Sequence, residues 1–183
     1  MSFELTSTAF EEGRPIPERY SGEGENLSPP LKWTDPPKGT QALALMCEDP
    51  DAPRGTFTHW IVFNMPAVSR ELSEGTPTEG VLPNGTVQGQ NDARKVGYMG
   101  PKPPPGKAHR YFFKLFALDR PLHLKCHVGR GEFLEAIERH VLAEAQLMGT
   151  YQHGQGQAFS HDPIEKKAQQ GRASIYTAPL SEP

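Results

Sequence analysis

Apolar residues in this chain gather in short, strand-like stretches. Residues 41–47, Gln-Ala-Leu-Ala-Leu-Met-Cys, form an apolar run too short for an amphipathic helix and predict a buried strand. Residues 57–65, Phe-Thr-His-Trp-Ile-Val-Phe-Asn-Met, are rich in aromatic and β-branched types and predict a second. Strict alternation puts His59 on one face of it with Phe57, Ile61, Phe63 and Met65. The strongest strand signal is 110–118, where Tyr111, Phe113, Leu115 and Ala117 share a face and His109 falls on that same face. Residues 1–40 read as extended segments and turns, because Pro15 and Pro17 break any helix and Asp35-Pro36-Pro37-Lys38-Gly39 is turn chemistry. Residues 66–110 predict long ordered loops with short strands, one of them near 86–89.

A single clear helical stripe follows. Phe133, Leu134, Ile137, Val141, Ala145 and Met148 recur at three- and four-residue spacing, and Gly149 sits where such a helix would end in the left-handed conformation. After Tyr151 the chain turns polar. Residues 152–161 read as a linker, and Asp162-Pro163-Ile164-Glu165 supplies a cap, a first-turn proline and an acidic residue three beyond the cap. This predicts a short helix at 163–170, within a polar tail spanning 152–183.

Composition supports a mainly β reading. Eighteen glycines and 19 prolines make up a fifth of the 183 residues, which excludes helical bundles and coiled coils. Nineteen basic against 22 acidic side chains leave no basic stripe, so nucleic acid is not an expected partner. No apolar run is long enough to span a bilayer, and Met1-Ser2-Phe3-Glu4-Leu5 lacks the character of a signal peptide. A cytoplasmic location is expected. Cys47 and Cys126 make neither a disulfide framework nor a zinc-spaced set, and Cys47 reads as a buried thiol.

Three segments could carry chemistry. Asp49-Pro50-Asp51-Ala52-Pro53 follows the first strand, and its prolines fix the backbone that holds two carboxylates. A capped surface turn would have the same composition. His59 lies six residues later, where it is either a satisfied core residue or a group returned toward Asp49 and Asp51, whose charge would favour its protonated form. Gly100-Pro101-Lys102-Pro103-Pro104-Pro105-Gly106-Lys107-Ala108 is a stiff loop that delivers His109 and Tyr111 onto a strand. Combined, these segments suggest a polar cup in which two imidazoles and a phenol donate to a phosphate, sulfate or carboxylate. Ligand spacing for a metal is missing, as is a G-x-S-x-G nucleophile elbow.

The segments Asp49-Pro50-Asp51-Ala52-Pro53 with His59, and Gly100-Pro101 with His109-Arg110-Tyr111, resemble the two signatures of the phosphatidylethanolamine-binding protein family. Asn26-Leu27-Ser28-Pro29-Pro30-Leu31-Lys32-Trp33 looks like its N-terminal segment, and 143–151 like the end of its bacterial, Raf kinase inhibitor-like branch. The resemblance covers residues 1–151. It implies two packed antiparallel β-sheets in a β-sandwich, with one or two helices near the C-terminus. It also implies a pocket for phosphate, phosphorylethanolamine or similar anions, lined by Asp49, Pro53, His59, Gly100, Pro101, His109 and Tyr111. Asp51 and Ala52 would shape this pocket and Phe57 would form an aromatic wall. The family resemblance further implies binding or inhibition of a kinase or protease rather than catalysis, no cofactor, and a homodimer as in bacterial relatives. The tail 152–183 does not match the C-terminal helix that closes the pocket in mammalian members, and Tyr176 is the aromatic that could stand in for it.

Overall fold

The computed structural model describes residues 2–156, and Met1–His153 forms one compact unit. The helix predicted at 163–170 and Tyr176 lie outside the described residues. Strands β1 (Leu5–Thr6), β2 (Leu31–Trp33), β3 (Ala42–Asp49), β4 (Phe57–Pro66), β5 (Glu71–Leu72), β6 (Val87–Gln88) and β7 (His109–Leu118) precede helix α1 (Arg130–Ile137) and a final strand, β8 (Val141–Tyr151). They make two antiparallel sheets, one ordered β1-β2-β5 and the other β6-β4-β3-β7-β8. The mainly β architecture with a helix near the C-terminus is therefore present.

Both faces of the large sheet are covered. Leu43, Leu45 and Cys47 of β3 join Leu5, Leu31 and Trp33 in the core between the sheets. Ala44 and Met46 face the other way, into a second core capped by Phe133 and Ile137 of α1. This explains why all eight residues of β3 are buried and why the strand reads as a continuous apolar run instead of an alternating one. Phe133 sits 6.3 Å, centroid to centroid, from both Phe63 and Phe116. Arg130 at the start of α1 donates to the buried Glu48 carboxylate at 2.5 Å, and Lys114 donates to its other oxygen at 3.2 Å. Two cations on one buried carboxylate offset its desolvation and tie the helix to the sheet.

The predicted helical stripe stops at Ile137. The chain turns through His140, whose Nδ1 lies 3.0 Å from Asp119 Oδ1 and whose N–H donates to the Ile137 carbonyl. Residues 141–151 then pair with β7 as an edge strand. The misreading has a geometric cause. A spacing of four is also an even number, so Val141 and Ala145 satisfy both a helix and a strand. The discriminating residues are Ala145, Leu147, Gly149 and Tyr151, which are buried at alternate positions. Gly149 is not a helix end. A Cβ there would lie 2.5 Å from Ile16 Cγ1 and 2.8 Å from Phe10 Cε2, so glycine lets the N-terminal segment cross the strand.

Strand β4 also departs from simple alternation. Cys47 pairs with Trp60 and Glu48 with Thr58, leaving His59 as an extra residue on β4. This bulge turns His59 toward the side of Trp60 and Tyr111, so it does not share a face with Ile61 and Phe63, which pack under α1. A second register shift near Asn64, at φ +57°, restores Met65 to the core between the sheets.

Gly149→Ala is expected to destabilise the protein by about 1–3 kcal/mol through overpacking, read as a lower urea midpoint. Gly131, within α1, has open space where a Cβ would be. Gly131→Ala is expected to raise stability by up to about 1 kcal/mol, the helix-propensity difference, read as a higher urea midpoint.

Candidate functional site

Strand β3 is antiparallel to both its neighbours, so its C-terminal end lies beside the starts of β4 and β7. That pairing sets Asp49 against Phe57 and brings His109 and Tyr111 to the same end of the sheet. The result is a cavity of about 160 Å³. It is smaller than the ~300–1,000 Å³ of pockets for drug-sized ligands.

Asp49 organises one wall. Its Oδ2 accepts from His109 Nδ1 at 2.7 Å, and its Oδ1 accepts from the Asp51 N–H at 2.8 Å. The opposite wall is built on His59, whose Nδ1 donates to the Met99 carbonyl at 2.6 Å while Met99 N–H donates back to the His59 carbonyl at 3.0 Å. Both rings thus commit Nδ1 and leave Nε2 uncommitted. His59 stands edge-on to Tyr111, with centroids 5.2 Å apart, and its other neighbour is Phe57 at 4.9 Å. Phe57 provides the expected aromatic wall, and Ala52 and Pro53 also line the cavity.

The electrostatics differ from the sequence expectation at His59. Burial pushes its pKa below the usual histidine value, outweighing the Met99 hydrogen bond and the charges of Asp49 and Asp92. His59 therefore favours its neutral form, with a lone pair on Nε2. Tyr111 moves oppositely. Burial and the nearby Asp49 charge push its pKa well above the phenol range, so it keeps its proton. Its hydroxyl is buried in the cavity wall beside the Asp49 carboxylate, but makes no well-formed hydrogen bond.

Three candidate residues stand behind the cavity, not in its lining. Asp51 turns outward and takes a fork of bonds from Arg110, Nε at 2.9 Å and Nη2 at 2.8 Å, with the Arg110 N–H at 3.0 Å. Arg110 holds the Asp51 carboxyl at a pKa of about 2. Gly100 is packed so tightly that a Cβ would lie 2.3 Å from the Tyr20 carbonyl oxygen, and its N–H donates to Asn26 Oδ1 at 2.7 Å. Pro101 accepts from the Gly22 N–H at 2.8 Å. Both anchor the loop against the N-terminal segment and thereby present Met99, Lys102, Pro103 and Pro104, which do line the cavity. Sequence reasoning passed over Met99 because its contribution is a backbone carbonyl. The Lys102 cation could be found only as part of a stiff loop.

Fold and site together define a two-sheet β-protein with a small ligand cavity at one end of its central strands. The family model for phosphatidylethanolamine-binding protein matches residues 6–152. The chain belongs to that family. It is 50% identical over 150 residues to a UPF0098 protein of Methanothermobacter thermautotrophicus, covering 82% of this chain and 99% of that one. A crystal structure of the phosphatidylethanolamine-binding protein homolog CT736 from Chlamydia trachomatis is similar at 42% identity and a TM-score of 0.76, covering 82% of this chain and 97% of that one. Escherichia coli YbcL, described as a new member of the mammalian PEBP family, is similar at 32% identity and a TM-score of 0.78, covering 83% and 99%. No helix among the described residues is long and apolar enough to cross a membrane.

A consequence for stability follows from His59. The folded chain binds its proton more weakly than the unfolded chain. The stability that neutral His59 preserves is complete above its ordinary pKa of about 6.5 and is lost as pH falls below it. Urea midpoints of the ligand-free protein are expected to fall between pH 7 and 5, and His59→Gln should flatten that slope. The Asp51 contribution behaves differently: it is complete above the usual aspartate range and is lost only as pH falls toward about 2.

Proposed function

We propose that the cavity binds a phosphate-like anion, free or as the headgroup of an ester, and that the protein acts as a binder and not as an enzyme. The observation that carries this reading is the buried Tyr111 hydroxyl, a proton donor that makes no well-formed hydrogen bond although it stands beside Asp49. Around it stand the two uncommitted Nε2 atoms and the Lys102 ammonium. An acceptor-rich ligand satisfies Tyr111 directly. Its negative charge also favours protonation of His59, which turns Nε2 from acceptor into charge-assisted donor. Binding on this account takes up a proton, so affinity falls as pH rises through the histidine range.

Among the described residues no serine or cysteine lines the cavity, and Tyr111 holds its proton too tightly to serve as a nucleophile at neutral pH. That supports binding over covalent catalysis. A regulatory role as an inhibitor of a kinase or protease would use the exposed rim, where Arg54 and Lys102 stand.

Phosphate and phosphorylethanolamine are expected to raise the thermal midpoint. At ten times the dissociation constant the gain is about 1.4 kcal/mol, and His109→Ala should abolish it. Tyr111→Phe separates ligand binding from fold maintenance. Removing an unsatisfied hydroxyl should leave the ligand-free protein as stable or about 1 kcal/mol more stable, while anion affinity drops severalfold in calorimetry. Loss of stability with unchanged affinity would contradict the reading. Titration in two buffers of different ionisation enthalpy should report net proton uptake, and its absence would remove His59 protonation from the account.

A further inference from the structure

Beyond the cavity lies a second basin of about 430 Å³ that shares two lining residues with it, Met99 and Lys102. Met99 is the partition between them, fixed by its two backbone hydrogen bonds to His59. Lys102 stands at the junction. Its stem is seated against Gly22, where a Cβ would lie 3.2 Å from Lys102 Cβ, and Gly22 N–H holds the Pro101 carbonyl.

The basin's polar groups are nearly all donors. The amide oxygen of Asn26 already accepts from Gly100 N–H at 2.7 Å. The amide oxygen of Asn91 accepts from the N–H groups of Ala93 and Lys95, and its Nδ2 donates to the Gly97 carbonyl. Tyr98 spends its hydroxyl on the Tyr20 carbonyl at 2.7 Å. What remains is the Asn26 amide N–H₂, the Thr78 hydroxyl and the ammonium groups of Lys95 and Lys102. Neither lysine has an ion-pair partner among the described residues. Among the described residues no carboxylate lines the basin, although the chain as a whole carries more acidic than basic side chains.

We propose that the ligand is a small organic bis-anion: a phosphate ester whose phosphate enters the cavity and whose second phosphate or carboxylate lies in this basin between Lys95 and Lys102. The inference rests on the anion reading of the cavity and adds the chemistry of the rest of the molecule. A ligand ending in an ammonium group would meet two unpaired cations there, so phosphorylethanolamine is a partial ligand on this account.

Calorimetry with alkane-1-phosphates and the matched α,ω-alkane bisphosphates, two to six carbons long, tests this on the full chain. At one length the bisphosphate should bind at least tenfold tighter than its monophosphate. Lys95→Gln should erase that gain and leave monophosphate affinity as in the wild type. Lys102→Gln should weaken both ligands. Lys38→Gln, at the opposite end of β3, should change neither. A monophosphate that binds while no bisphosphate exceeds it by more than the statistical factor of two would overturn the bis-anion inference and leave the cavity reading standing. A gain that survives Lys95→Gln would do the same. If neither series binds, the cavity reading fails and this inference fails with it.

Discussion

The site depends on one constraint: Asp49 is the last residue of a strand buried on both faces and paired on both edges. A terminal residue of an exposed strand would fray. Asp49 cannot, because β3 is clamped between β4 and β7 and covered by two cores. Its carboxylate therefore has a fixed address, and it fixes the His109 ring and the Asp51 turn in their places. The turn then directs Asp51 outward onto Arg110, so the corner after β3 is braced from outside the cavity. Ordering these groups in advance removes part of the entropy cost that a flexible site would meet when a ligand arrives.

The two imidazoles are held differently, and the difference has chemical meaning. His109 is oriented by a charge and His59 by a backbone carbonyl. The second arrangement, in a buried setting, disfavours an imidazolium. The cavity thus holds a Tyr111 donor without a well-formed hydrogen bond and an acceptor on His59. Each is a local cost that a suitable anion, arriving with a proton, would relieve together.

Much of this was legible in the sequence, for physical reasons that can be traced residue by residue. The three long strands were readable because a doubly covered strand must be apolar at successive positions, and 41–47 is. The rigid corner at Pro50 and Pro53 and the loop with four prolines were readable because proline constrains the backbone wherever it occurs. Residues 141–149 were misassigned because four-residue spacing serves both periodicities, and Leu147 was the residue to heed. The facing of His59 was hidden because a bulge changes no residue type, only the count between two pairings. The outward turn of Asp51 depended on Arg110, a neighbour across 59 residues of chain. The backs of Gly100 and Pro101 depended on Tyr20, Gly22 and Asn26, which no local pattern connects to them.

The crossing of the N-terminal segment over β8 carries a temporal meaning. Met148 N–H donates to the Glu12 carboxylate, 136 residues away along the chain, and Gly13, Arg14 and Ile16 bond to the carbonyls and amides of residues 148 and 150. On the ribosome these early residues have no dock until the last strand emerges. The same N-terminal stretch continues to Tyr20, Gly22 and Asn26, which brace the loop behind the cavity. Contacts this distant in sequence close slowly, and the segment that makes them is the one that braces the loop behind the cavity. A nascent or truncated chain that lacks β8 could form most of the large sheet and still be unable to hold a ligand. The bracing of the cavity in this architecture therefore waits on β8, the edge strand of the large sheet.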